Sequence, residues 1–171
     1  MIKAPAIQLG LVLAVHPTAR GFGWALFESP MAPVDWGIAS AKTGRNARLA
    51  ARFERLLERY EPAVLVLEEF EGRAGRADRI QMLCRQFIHL AACKGMETPV
   101  YQRAVIRTVF ASVGASTRFE IAQVIATTLD AFSHRLPRKR RPWESADPRQ
   151  SLFDAAALAM TYFGLLSDTQ P

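Results

Sequence analysis

Three carboxylates stand at places in the sequence where chemistry is common. The apolar run of residues 64–67 (VLVL) leads straight into Glu68 and Glu69. Acidic groups at the C-terminal end of a buried strand in an α/β sheet sit where ligands usually bind. Asp154 lies near the start of a segment that is otherwise almost wholly apolar, SLFDAAALAM. There it is either a first-turn residue favoured by the helix dipole or a metal ligand. Adjacent strand residues point to opposite faces, so Glu68 and Glu69 cannot both enter one site without a bend between them.

The elements that must position these groups follow from periodicity. Residues 9–15 (LGLVLAV) read as a strand buried on both faces and ended by His16, Pro17 and Thr18. Residues 21–27 and 34–39 follow after short turns, which predicts an antiparallel meander. Asn46 reads as a helix N-cap, with Leu49, Phe53, Leu56, Leu57 and Tyr60 at helical spacing and Pro62 as the stop. After the strand that delivers Glu68, a Gly/Arg-rich loop over residues 72–78 leads to a helix with Ile80, Leu83, Phe87 and Leu90, closed by Gly95. Residues 99–101 form a fifth short strand. A small helix follows over 104–111, then a longer one from Thr117, whose spacing to Glu120 suits a capping box. Residues 136–148 (LPRKRRPWESADP) are expected to form a basic, Pro-rich flexible loop. The last helix covers about 150–166. The order β-β-β-α-β-α-β-α-α-α defines an α/β class with a five-stranded mixed sheet flanked by helices, in a single domain over 1–171.

Composition narrows the partners. The chain has 171 residues, 50% hydrophobic and 22% charged, which is globular rather than disordered. The net charge is +6, and 18 of the 22 basic residues are Arg. That bias suits bidentate phosphate contacts on nucleic acid, or reflects codon usage. No apolar run approaches the roughly 20 residues of a membrane span. No signal peptide is expected, because Lys3 is not followed by a long apolar core with a cleavage site. Cys84 and Cys93 form neither a CxxC pair nor a disulfide framework, so a cytoplasmic, reducing setting is expected.

Taken in order, four segments resemble the RuvC family of Holliday-junction resolvases, in the RNase H-like superfamily. LVLAVHPTARGFGWALFE is similar to the family's opening strand and turn, VLVLEEF to its central strand ending in Glu, RTVFASVGASTRFEIAQVI to its Gly-turn and basic helix start, and SLFDAAALAM to its closing helix. The resemblance spans nearly the whole chain. It implies a branched-DNA partner, a two-fold dimer acting in recombination and repair, and an endonuclease site in which four side chains hold two Mg²⁺ or Mn²⁺ ions. Glu68 falls on the central Glu and Asp154 on the last Asp of the closing helix. The other two positions depart: His16 stands where the family has its opening Asp, and Ser151 where Asp or His is usual.

His16 therefore has three readings. It is a ligand for Mn²⁺, Zn²⁺ or Ni²⁺, which suit imidazole better than Mg²⁺ does. Alternatively the site has lost its chemistry and the protein binds branched DNA without cutting it. In the third reading His16 simply packs at a strand end. A neutral imidazole cannot bridge two cations as a carboxylate does, and with Ser151 the loss is double, so binding with weak, altered or lost cleavage is the leading expectation. A non-catalytic structural or partner-binding protein is the other class. DNA contacts are expected from Arg73, Arg76 and Arg79, from Arg118 near the family's basic position, and from Arg138, Lys139, Arg140 and Arg141 with Trp143 beside them, each otherwise a solvated surface charge. The helix with Ile80, Leu83, Phe87 and Leu90 is either a dimer interface or a core helix.

Overall fold

The computed structural model describes residues 10–70 and 76–168, with the side chains of residues 76 and 77 outside the description. Leu9, at the start of the first expected strand, and Arg73, in the Gly/Arg-rich loop, therefore lie outside the described residues.

The central strand β1 (Val12–Pro17) is buried along its whole length, as its unbroken apolar run requires. It pairs antiparallel with β2 (Gly21–Ser29), which pairs antiparallel with β3 (Ala32–Ser40), so the expected meander is present. On its other side β1 pairs parallel with β4 (Val64–Glu68), and β4 pairs parallel with β5 (Val100–Tyr101). The five-stranded mixed sheet has the order β3-β2-β1-β4-β5.

Helices cover both faces. Odd positions of β1 and β4, Leu13, Val15, Leu65 and Leu67, pack with Phe53 and Phe87 from α1 (Arg45–Tyr60) and α2 (Arg76–Cys93). Even positions, Val12, Ala14, Val64 and Val66, pack against α3 (Arg103–Ala111), α4 (Arg118–Thr128), the short α5 (Asp130–Ser133) and α6 (Gln150–Asp168). Strand parity then places His16 and Glu68 on the α6 face. Helix α6 is buried nearly all round, which explains an almost continuous apolar sequence with no polar stripe. Among the described residues no helix is long and apolar enough to cross a membrane.

Several local expectations need correction. Asn46 does not cap α1: Gly44, in the left-handed region at φ 55, is the N-cap, and the Asn46 amide donates to the Arg79 carbonyl instead. Residues 76–78 of the expected loop are already helical. An additional turn of helix, α5, seats Phe132 between Phe27 and Trp36, which no periodicity in four residues could reveal. Leu83 and Phe87 are core residues, so they are not available to a partner chain, whereas Met82 on the same helix is 62% exposed. The Thr117–Glu120 capping box is present in full.

Candidate functional site

Parity fixes half of the site and the closing helix supplies the rest. His16 pairs with Gly23 across the β1–β2 ladder. A Cβ on Gly23 would stand 2.3 Å from the Ser151 carbonyl carbon and oxygen. The glycine thus lets the first turn of α6 lie against the sheet beside His16. Asp154 is the fifth residue of α6, beyond the first turn, so helix capping does not explain it. Its carboxylate lies instead beside His16 of β1.

Three buried groups converge there. His16 Nδ1 lies 3.3 Å from Glu68 Oε2, and His16 Nε2 lies 3.5 Å from Asp154 Oδ2. The Nδ1 contact is close enough for an ion pair but misaligned for a hydrogen bond, and this nitrogen has no hydrogen-bond partner. Phe70 packs its ring 5.6 Å from the imidazole.

Two arginines complete the cluster. Arg118, the first residue of α4, places Nε 3.2 Å from Asp154 Oδ1 and bonds Oδ2 through Nη2, a bidentate fork. Arg103, the first residue of α3, donates from Nη2 to Glu68 Oε2 at 2.7 Å and brings Nη1 to 3.9 Å from Asp154 Oδ1. The Gln150 amide adds a bond to the same Oδ1 at 3.3 Å. Two carboxylates are thus matched by two guanidiniums before His16 is counted. Sequence reading missed Arg103. Its available signal was an Arg opening a helix, where the dipole disfavours a cation, directly after a strand parallel to the one that carries Glu68.

The other expected site residues distribute unevenly. Ser151 is buried and its hydroxyl donates to the Pro148 carbonyl at 2.7 Å, a bond local to the helix start. Glu69 is exposed, unlike the buried Glu68, and its backbone N–H bonds Tyr101 O. Arg79 reaches the Ala19 carbonyl in the β1–β2 turn. Only the backbone of Arg76 is described, in α2. Arg138, Lys139, Arg140 and Arg141 are exposed, with Arg138 paired to Glu144 at 2.5 Å. Trp143 is 77% exposed rather than packed onto the fold, with the Arg141 guanidinium 5.8 Å from its ring. A cavity of about 130 Å³ beside this basic segment is lined by Arg118, Pro137, Arg138, Arg140, Asp147 and Gln150, two of which, Arg118 and Gln150, also bond Asp154.

The electrostatics follow from the pairing. Burial opposes ionisation of Asp154, but His16, the Arg118 fork and Arg103 outweigh it and hold the carboxyl below its usual range. Burial likewise opposes the charge on Arg118, yet the Asp154 bond, with Glu68 adding, raises it above an ordinary arginine. Burial, reinforced by Glu68, pushes the Cys84 thiol up to about 12, so it supplies no thiolate nucleophile near neutral pH.

A depressed carboxyl has a definite sign in stability. The unfolded chain takes up its proton first, so the Asp154 contribution is full above the ordinary Asp range and is lost as pH falls through the folded value. Glu120, held at about 2 by the Ser116 and Thr117 backbone N–H groups, adds a second, solvent-screened contribution between about 4.5 and 2. Urea melts at pH 7, 4 and 3 are expected to show a steep acid loss, shallower in Asp154→Asn and less affected in Glu120→Gln. An unchanged slope in Asp154→Asn would refute the assignment.

Divalent-metal chemistry is a poor fit to these groups. Among the described residues no three His, Cys, Asp or Glu side chains are arranged to hold a metal ion. Both oxygens of Asp154 and one of Glu68 are already engaged by nitrogen donors, whereas Mg²⁺ requires oxygen lone pairs in near-octahedral order.

A mixed sheet ordered 3-2-1-4-5, with a closing helix laid across its central strands, defines the RNase H-like fold of RuvC type. The sequence matches no protein-family model and no curated protein. In structure, Thermus thermophilus RuvC in complex with a Holliday junction substrate matches with TM-score 0.71 at 17% identity, over 94% of this chain and 96% of that one. Thermus thermophilus RuvC solved separately gives 0.70 at 18% identity over 92% and 96%. The fowlpox virus Holliday junction resolvase gives 0.53 at 14% identity over 91% and 99%.

Proposed function

We propose that this chain binds branched DNA, four-way junctions in particular, and does not cut it by the metal-dependent route of resolvases. The observation that carries the reading is the pairing of Glu68 and Asp154 with Arg103, Arg118 and His16, inside a fold shared with junction resolvases. A phosphate would be met at the rim of this centre, at the half-exposed Arg118, rather than at the paired carboxylates. Helices α3 and α4 both begin at the centre, bringing the positive ends of their dipoles, and Arg118 stands beside the exposed Arg138–Arg141 run. Two copies acting on one junction would match the two-fold symmetry of its strands, and the two free cysteines suit a reducing cytoplasm.

Gel-shift titration of a labelled four-way junction tests this. An unlabelled junction is expected to compete at least about tenfold better than linear duplex of equal length. Binding should weaken with salt at a log–log slope of roughly −0.9 per phosphate contact. Incubation with Mg²⁺ or Mn²⁺ should release no nicked strand. Equal competition by linear duplex overturns the binding reading. Nicking that disappears in Glu68→Gln overturns the loss of cleavage.

A further inference from the structure

We infer that Arg103 is a tethered cation occupying the position between Glu68 and Asp154 that a divalent ion would need, so that restoring an acid at position 16 cannot by itself restore metal binding. This inference stands on the carboxylate cluster and not on DNA affinity, so the two can fail separately.

One guanidinium spans both carboxylates, 2.7 Å from Glu68 Oε2 and 3.9 Å from Asp154 Oδ1. Its side chain is only 23% exposed, so the charge is largely withdrawn from water and depends on those partners. Local preference argues against an Arg in the first turn of α3, where the helix dipole is positive, and no acidic residue in that turn offsets it. The tertiary pairing therefore overrides the local rule. Arg103 and Arg118 together bring two positive charges to two buried negative ones. A divalent ion entering this balance would meet fixed cations and carboxylate oxygens already accepting hydrogen bonds, and guanidinium cannot release a proton to make room.

His16→Asp alone would place a third carboxylate within reach of Arg103, which would take it as another partner. Removing the guanidinium as well leaves three carboxylates facing Arg118 alone, an oxygen-rich set that a hard cation can bind.

Mn²⁺ binding is measured by the electron paramagnetic resonance signal of free Mn²⁺ and by melting temperature, for the parent, H16D, R103M and H16D/R103M. The parent and H16D are expected to bind no Mn²⁺ saturably and to show no Mn²⁺-dependent melting shift. R103M without metal should melt on the order of 10 °C lower, since it strips a partner from a buried ion pair. H16D/R103M should take up about one Mn²⁺ and recover several degrees at a hundredfold excess over its Kd. Should that variant fail to fold, H16D/R103K carries the same test: Lys keeps one charge but cannot span both carboxylates, so it should bind Mn²⁺ more tightly than H16D. Saturable Mn²⁺ binding by the parent, binding by H16D equal to that of the double variant, or a folded double variant that binds none, each overturns the inference.

Discussion

Asp154→Ala is expected to destabilise the fold by about 2–3 kcal/mol, a fall in melting temperature of roughly 4–12 °C, while junction affinity is retained or rises. Asp154 is almost wholly buried, and it accepts both nitrogens of the Arg118 fork and the Gln150 amide. Its removal leaves Arg103 with Glu68 but strips Arg118 of the carboxylate it forks, in a pocket desolvated for that carboxylate. The side chain of Arg118 is 47% exposed, so its guanidinium can swing outward toward the cavity shared with Arg138 and Arg140. Stability should therefore fall without a loss of DNA affinity. Thermal melts and gel shifts on the same preparation check this. A parallel loss of both, with Asp154→Asn behaving no better than Ala, would mean that Asp154 itself touches the DNA path.

The second large effect concerns a residue without a side chain. Gly23→Ala puts a Cβ 2.3 Å from the Ser151 carbonyl group and 2.6 Å from Leu152 N. All of these are backbone atoms, so no rotamer change relieves the overlap, and either α6 or β2 must move. Overpacking of this kind costs typically 1–3 kcal/mol and occasionally more, and the rigid neighbours place this case at about 3 kcal/mol. Because α6 also carries Asp154, the shift would loosen the Arg118 fork. Gly164→Ala on the same helix is the control. There the new Cβ meets Val109 Cγ1 at 3.5 Å, an ordinary contact, and Ala in place of a helical Gly should add about 0.5–1 kcal/mol. Melting of the two variants, with hydrogen exchange over α6, decides it. A Gly23→Ala protein as stable as the parent would show that α6 does not bear on the sheet at this point.

The metal-centred expectation is the part most altered by the structure. The sequence resemblance turned on which ligands were missing, His16 for an acid and Ser151 for another. The structure adds that Glu68 and Asp154 are paired with the guanidiniums of Arg103 and Arg118, so the centre carries its own positive charge.

Much of this was legible in the residues. Alternation along an apolar strand separated Glu68 from Glu69, because side chains in a strand alternate short of a bulge, whereas the shared face of His16 and Glu68 follows from the parallel β1–β4 register. The apolar stretch around Asp154 predicted the closing helix, but whether that acid served the first turn or faced inward was decided only by the packed α6, where it is buried beyond the first turn. Turn residues and the capping box marked where α4 begins. What the sequence could not show is which cations face those acids. Arg103 lies 35 residues from Glu68, and Arg118 lies 36 from Asp154. Neither pair has a local spacing to announce it. Their meeting depends on β5 lying parallel beside β4 and on α6 settling over Gly23. Only the packed sheet and helices decide that, since a charge pair across the fold is chosen by three-dimensional distance and by the cost of leaving either charge buried alone.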